Sequence, residues 1–172
     1  ISRKRSVAPN PIQDVFNQVN KRFIQLENID PNKLIDSNWM KNNLPFTGEI
    51  FLGHLRYGTF GGNTIEQCHP FLRQNNWKTR NLALAGNFNM TNVDELFRQL
   101  VGLGQHPKEI ADTVTILEKI GHFLDEANDA IYYKNKDKLS KKEITKVIED
   151  ELDLQDILVQ SAKYWDGGYV IC

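Results

Sequence analysis

Apolar residues recur every three or four positions in several segments of the chain. The first such segment follows Asn10, a common N-capping residue, and Pro11, which suits the first turn because a helix leaves that N–H unpaired. Its apolar positions share one helical face: Ile12, Val15, Phe16, Val19, Phe23 and Leu26. Residues 28–47 are rich in Asn, Asp and Pro, so we expect them to be irregular.

Three strand-like runs predict strands. Residues 49–57 form the first run, which leads into the glycine-rich residues 58–62. Residues 82–85 form the second and lead into residues 86–89, Gly-Asn-Phe-Asn, where we expect a tight turn from strand to helix. Residues 167–172 form the third.

Helix signals dominate the second half of the chain. Asn92 with Glu95 is a variant of the capping box and predicts a short helix, and residues 110–124 predict a longer one. Ser140 with Glu143 is a second capping box, which opens one helix or a pair of helices. Helices and strands together predict the α+β class.

Composition is that of an ordinary soluble domain. The 172 residues are 40% hydrophobic and 25% charged, and the formal net charge is −1, so we expect neither nucleic acid nor membrane as a partner. No apolar run approaches the roughly 18 residues that cross a bilayer. The lysine-rich residues 134–143 are expected to be a solvated face. Cys68 and Cys172 have no metal-ligand spacing, so we expect no metal site and a reducing cytoplasm.

Three residues are candidates for binding a small polar substrate. Arg56 ends the first apolar run beside a glycine-rich turn, where a guanidinium can hold a carboxylate through two bonds. Asn87 and the adjacent backbone N–H groups can form an oxyanion hole. Asp112 places a carboxylate in an apolar helical segment. Spacing alone also allows a solvent-facing arginine, a turn-stabilising asparagine and an acid favoured by the helix dipole.

The histidines are weaker candidates. We expect His54, between apolar residues, to lie in the core, and His106 and His122 to lie on the surface. His69 follows Cys68, but adjacent residues rarely form a nucleophile–base pair.

Taken in order, these segments resemble the glutaminase domain of class II glutamine amidotransferases, which are N-terminal-nucleophile hydrolases. Residues 53–59, Gly-His-Leu-Arg-Tyr-Gly-Thr, resemble the family's Gly-His-Val-Arg-Tyr-Ser-Thr. Residues 82–92 resemble Leu-Ala-Leu-Ala-His-Asn-Gly-Asn-Leu-Thr-Asn, residues 111–113 resemble Ser-Asp-Thr, and residues 166–169 resemble Gly-Ala-Tyr-Ser. Tyrosine after the arginine favours the amidophosphoribosyltransferase branch.

The resemblance implies a partial four-layer αββα sandwich with antiparallel sheets. It implies that Arg56 binds the α-carboxylate of glutamine, that Asp112 binds the α-ammonium, and that Thr59 lines the pocket. Asn87 and the backbone N–H of Phe88 would stabilise the tetrahedral oxyanion.

The sequence departs from the family pattern at the expected reaction centre. Phe88 replaces a glycine and Gly86 replaces a histidine. A residue with a Cβ loses about 1–2 kcal/mol in the left-handed region. We therefore expect Phe88 to keep a negative φ and to direct its N–H away from the cleft.

The family nucleophile is a cysteine at the mature N-terminus, and its α-amine is the base. This chain begins with Ile1, so we expect an internal piece of one glutaminase domain that is inactive alone. Within residues 1–172 we expect a weakly matching segment (1–47), the core motifs (48–127), a helical insertion or drifted helices (128–165) and a truncated core strand (166–172).

By resemblance, the parent enzyme hydrolyses glutamine and passes ammonia to phosphoribosyl pyrophosphate, the first committed step of purine synthesis. A phosphoribosyltransferase domain elsewhere in the polypeptide would use Mg²⁺, this piece would need no cofactor, and the parent would be a cytoplasmic homo-oligomer. Two alternatives stay open. One is a degenerate glutaminase-like module kept for binding or assembly, and the other is another branch of class II amidotransferases.

Overall fold

A computed structural model describes residues 1–56, 64–107 and 109–172. The chain divides into two compact units, Ile1–Pro70 (unit 1) and Phe71–Cys172 (unit 2). Thr59 lies outside the described residues.

Unit 1 is mainly helical. It contains α1 (Pro11–Ile29), a 3-10 turn (Pro31–Leu34), α2 (Ser37–Asn43) and a second 3-10 turn (Ile65–Gln67). The predicted start of α1 is confirmed.

Two expectations for unit 1 are wrong. Residues 28–47 are not irregular throughout, because α2 forms there, and the Asp36 side chain caps it by accepting a hydrogen bond from Trp39 N (2.9 Å). The described part of the predicted strand, residues 49–56, contains no strand. An apolar run becomes a strand only when a neighbour pairs with its backbone, and Ile50 and Phe51 are 92% and 70% exposed.

Unit 2 combines four helices with two small antiparallel sheets, which confirms the α+β class. Strand β1 (Phe71–Arg73) pairs with β2 (Leu82–Leu84), and β3 (Gly86–Met90) pairs with β4 (Gly167–Ile171). The helices are α3 (Val93–Gly102), α4 (Asp112–Asn135), α5 (Lys141–Glu151) and α6 (Leu154–Ala162).

The predicted turn at residues 86–89 is wrong, because this segment is strand β3. Its partner β4 lies about eighty residues further along the chain, from Gly86 opposite Ile171 to Met90 opposite Gly167. Backbone pairing with a distant segment therefore overrides the local preference of Gly and Asn for turns.

Helix α4 is the central element of unit 2. Its buried side chains pack with residues from the sheets and from α3 and α6 in a core of Leu84, Met90, Leu96, Ile116, Leu117, Ile120, Leu124 and Ile157. Burying such side chains contributes about 1.5–3 kcal/mol each. The core therefore fixes the start of α4 relative to β3.

Charged side chains attach β1 and the 3-10 turn that follows it (Lys78–Arg80) to α4. Arg73 donates to Glu118 (3.3 Å) and to Asp125 (2.5 Å), and Arg80 donates to Asp129. Gly121 leaves room for Arg73, because a Cβ at residue 121 would lie 2.5 Å from Arg73 Cδ.

Within the described ranges, no helix has the length and apolar character needed to span a membrane. The same residues contain no group of three or more His, Cys, Asp or Glu side chains arranged to hold a metal ion.

Candidate functional site

The hydrogen bonds of β3 determine where its N–H groups point. Ala85 N donates to Cys172 O (2.9 Å), and Cys172 N donates to Ala85 O (2.8 Å). Because hydrogen-bonded and non-hydrogen-bonded pairs alternate in an antiparallel ladder, Asn87 faces Val170 in a bonded pair, whereas Phe88 and Met90 are in non-bonded pairs. The N–H groups of Phe88 and Met90 are therefore directed to the edge of β3 away from β4.

Asp112 lies at that same edge. It is the first residue of α4, and its Oδ2 accepts a hydrogen bond from Met90 N (3.2 Å). The first turn of a helix favours a carboxylate because the helix dipole is positive there. Two residues along a strand span about 7 Å, so the N–H of Phe88 exits β3 about 7 Å from the N–H that Asp112 binds.

Alternate side chains of β3 face opposite sides of the sheet. Met90 is buried and Phe88 is half-buried against the core, whereas Asn87 and Asn89 are exposed. The Asn87 amide therefore rises from the outer face, next to the backbone N–H of Phe88. Of the predicted site residues of unit 2, the Phe88 N–H and the Asp112 carboxylate therefore lie at the same edge of β3, and the Asn87 side chain projects from the exposed face of that strand.

The two departures from the family pattern are coupled sterically. A Cβ at residue 86 would lie 2.7 Å from Cζ of Phe88, and it would also press against the carbonyl oxygen of Val170. The phenyl ring thus occupies the space beside Gly86 that another side chain would need. Among the described non-glycine residues, positive φ occurs only at Phe46, so the expected negative φ of Phe88 is confirmed.

Arg56 belongs to unit 1. Its side chain is exposed, and its guanidinium donates to the carbonyl oxygen of Gln67 (3.0 Å). Nearby, the rings of His54 and His69 stack with centroids 4.4 Å apart. Burial, followed by the charges of His54 and Arg56, lowers the pKa of His69 to about 4. His69 is therefore neutral at pH 7.

The other expectations for histidine and cysteine have mixed outcomes. His54 is half-buried, and its Nδ1 is buried without a hydrogen-bond partner in the part of the chain that the structure describes. His106 is exposed, as expected, but His122 is only 17% exposed and lies 3.3 Å from Glu126. The Cys68 thiol lies 3.6 Å from the carbonyl oxygen of Thr64.

Sequence reasoning missed a buried lysine on α4. Lys119 is 4% exposed, its Nζ donates to Gln99 Oε1 (3.2 Å), and it lies 5.4 Å from the centroid of the Tyr164 ring. Burial lowers the pKa of Lys119, and Glu95 opposes that shift. The sequence could have indicated that Lys119 is buried, because Lys119 lies in helical register with the apolar residues Ile116 and Ile120.

Comparison with curated proteins gives partial matches to amidophosphoribosyltransferases. The chain is 34% identical over 84 residues to the enzyme of Methanocaldococcus jannaschii, a match that covers 49% of this chain and 17% of that protein. It is 37% identical over 76 residues to the enzyme of Lacticaseibacillus casei, covering 44% of this chain and 38% of that protein.

A longer match is to a glutamine–fructose-6-phosphate aminotransferase of Clostridium perfringens. Identity is 29% over 139 residues, which is 81% of this chain and 18% of that protein. No family model and no solved structure matches the chain. The chain thus spans well under half the length of these relatives, and its similarity to amidophosphoribosyltransferases supports a family relationship.

Proposed function

We propose that the chain forms part of the glutamine-hydrolysing domain of a class II amidotransferase of the amidophosphoribosyltransferase type. The observation that carries the proposal is the edge of β3, where the Asp112 carboxylate lies about 7 Å from the point at which the Phe88 N–H exits. The similarity to amidophosphoribosyltransferases supports the same assignment.

The dimensions of this edge suit glutamine. With standard bond lengths, the α-nitrogen and the side-chain carbonyl oxygen of an extended glutamine are roughly 6 Å apart. An α-ammonium held by Asp112 would therefore place the side-chain carbonyl near the N–H of Phe88. Arg56 is the proposed partner of the α-carboxylate, and Thr59 is proposed to line the pocket.

In the proposed reaction, a nucleophile attacks the side-chain amide carbon and the carbonyl oxygen becomes an oxyanion. The Asn87 amide and the Phe88 N–H are neighbouring donors suited to that charge. The backbone of Phe88 is extended, so the donor does not require the left-handed conformation that favours glycine. On this proposal the Phe88 N–H is an oxyanion donor, which departs from the expectation that it is directed away from the cleft.

The nucleophile is proposed to be an N-terminal cysteine of the full-length protein, since the family uses that residue together with its own α-amine. Ammonia would then pass to phosphoribosyl pyrophosphate bound with Mg²⁺ in a phosphoribosyltransferase domain. We also propose the four-layer sandwich for the complete domain, a homo-oligomeric parent and a cytoplasmic location.

An amide-resolved titration tests glutamine binding at this edge. We expect L-glutamine to shift the backbone ¹⁵N–¹H resonances of Phe88 and Met90 saturably in the full-length protein, because its two ends would contact this edge. D-Glutamine is the control and should give smaller shifts. Saturable binding of L-glutamine that leaves both resonances unchanged would contradict the assignment.

A second candidate is another branch of class II amidotransferases. The match to a glutamine–fructose-6-phosphate aminotransferase favours it, because that match extends over 81% of this chain. The full-length protein separates the branches by its acceptor, which is phosphoribosyl pyrophosphate in the first proposal and fructose 6-phosphate in the second. A degenerate module would bind glutamine without releasing ammonia to either acceptor.

A further inference from the structure

Three arginines of unit 1 converge on one short segment. Arg3 donates to the carbonyl oxygen of Pro70 (3.4 Å), Arg5 to that of Glu66 (3.2 Å), and Arg56 to that of Gln67 (3.0 Å). Like charges brought together in this way repel one another, and burial together with Arg5 lowers the pKa of Arg3. Such a cluster stabilises a bound anion.

These arginines line a cavity of about 850 Å³ within unit 1. Lys4 also lines it, and no Asp or Glu does so among the described residues. The nearby Asp14 is engaged elsewhere, because its carboxylate accepts hydrogen bonds from Ser6 Oγ (2.5 Å) and Gln18 Nε2 (2.8 Å). Arg3 and Arg5 form no ion pair with a carboxylate in the described part of the chain.

The remaining wall of the cavity is apolar. It is formed by one face of α1, a helix that has no buried residue of its own. Ile12 and Phe16 on this face are 51% and 60% exposed. Phe46, whose φ of 62° is unusual for a residue with a Cβ, also lines the cavity. An exposed apolar wall beside the guanidinium groups of Arg3 and Arg5 is suited to a ligand that has both an apolar body and an anionic headgroup.

We propose that this cavity binds an amphipathic organic anion of small-molecule size, with its headgroup on Arg3 and Arg5 and its apolar body against α1. Both acyl carboxylates and acyl phosphates have this chemistry, because a guanidinium pairs with either headgroup. The volume falls within the range of about 300–1,000 Å³ typical of small-molecule sites. Arg56 also lines the cavity, but the proposed headgroup contacts, Arg3 and Arg5, are not among the residues proposed to bind glutamine.

Calorimetric titration with decanoate, below its micelle concentration, tests the proposal on the 172-residue chain. We expect saturable binding of one decanoate per chain. Decanol lacks the charge that pairs with the arginines, and acetate lacks the apolar body that packs against α1. Each should therefore bind at least about 10-fold more weakly than decanoate. Decyl phosphate distinguishes the two headgroups by its relative affinity.

Two variants and a matched control locate the site. Arg3→Gln combined with Arg5→Gln should weaken decanoate binding by about 10-fold or more. Lys142→Gln combined with Lys146→Gln removes the same charge from exposed positions of α5 and should change it less than about 2-fold. Phe16→Ser should weaken decanoate binding and leave acetate binding unchanged.

Circular dichroism verifies that each variant is folded. If the double arginine variant is unfolded, salt dependence of the unmodified chain replaces it: 0.5 M NaCl should weaken binding of decanoate but not of decanol. The proposal is overturned if decanoate does not saturate, if decanol binds as tightly, or if the arginine and lysine variants bind decanoate equally.

Discussion

The phenyl ring of Phe88 lies over Gly86 on the same face of β3, so that a Cβ at residue 86 would come within 2.7 Å of Phe88 Cζ. These are the two positions at which the chain departs from the family's His-Asn-Gly-Asn pattern. The ring of Phe88 occupies the space that a side chain at residue 86 would need. The departures therefore form one coupled change in packing.

This coupling predicts the stability of variants at residue 86. Gly86→Ala should lower the free energy of unfolding by about 1–3 kcal/mol, because the added methyl group meets the phenyl ring and the carbonyl oxygen of Val170. Gly168→Ala on the partner strand is the control, since a Cβ there meets no atom within 4 Å.

Chemical denaturation of a double-mutant cycle measures the coupling. Adding Phe88→Ala to Gly86→Ala should recover part of the loss, with an interaction energy of about 0.5–3 kcal/mol. Strict additivity of the two substitutions would show that the ring does not occupy the space beside Gly86.

The ion pairs of unit 2 predict that replacing Arg73 lowers the free energy of unfolding more than replacing Lys78 does. Arg73→Met should reduce the free energy of unfolding by about 1–3 kcal/mol, because it removes the ion pairs of the half-buried Glu118 and Asp125 and leaves Asp125 only its 3.6 Å pair with Arg80. Lys78→Met is the matched control. Its pair with Glu149 is 2.7 Å long, but the lysine side chain is 79% exposed, so the change should stay below about 1 kcal/mol. Equal losses in urea denaturation would contradict this account.

His69 predicts a loss of stability in acid. Its pKa in the folded chain is about 4, below the ordinary value of 6.5, because the ring is buried beside His54 and Arg56. The unfolded chain therefore binds a proton first as the pH falls. The contribution of His69 is complete above pH 6.5 and declines between pH 6.5 and 4, by an amount on the order of 3 kcal/mol.

Urea denaturation at pH 7.5 and pH 4.5 measures that decline. His69→Gln removes the titrating group, so the difference in unfolding free energy between the two pH values should be smaller than in the unmodified chain. His106→Gln is the control, because His106 is exposed and should leave the difference unchanged. If the His69→Gln variant shows the same difference in unfolding free energy between the two pH values as the unmodified chain, His69 does not titrate as described.

Local signals in the sequence predicted local structure well. The capping box of Ser140 and Glu143 forms completely, because both of its hydrogen bonds join residues three positions apart. The similar signal at Asn92 correctly predicted the helix α3, which begins at Val93, but the side-chain cap itself does not form. The Asn92 side chain instead donates to Tyr164 O (2.8 Å) and accepts from Asp166 N (3.3 Å), so a contact across more than seventy residues replaced the cap.

The candidate site shows the same contrast between features set by local sequence and features set by long-range contacts. Asn87 and Asp112 were identified as candidates from their residue types and order along the chain, but their geometry depends on β4, which converts the predicted turn into a strand. The direction of the Phe88 N–H is a consequence of strand register, and no local pattern encodes register with a distant strand. The convergence of Arg3, Arg5 and Arg56 was missed because Arg3 and Arg5 contact carbonyl groups more than sixty residues away along the chain.

The most direct test of the central claim is the steady-state glutamine dependence of full-length Asp112→Asn. Asparagine can still accept the hydrogen bond from Met90 N, so the substitution removes mainly the charge proposed to hold the α-ammonium. Asp150→Asn, at an exposed position of α5, is the matched control. We predict a loss of roughly 10- to 150-fold in kcat/KM for glutamine, from about 1.5–3 kcal/mol of lost contact, with ammonia-dependent synthesis retained. Glutamine dependence equal to that of Asp150→Asn, or an equal loss of both activities, would contradict the account.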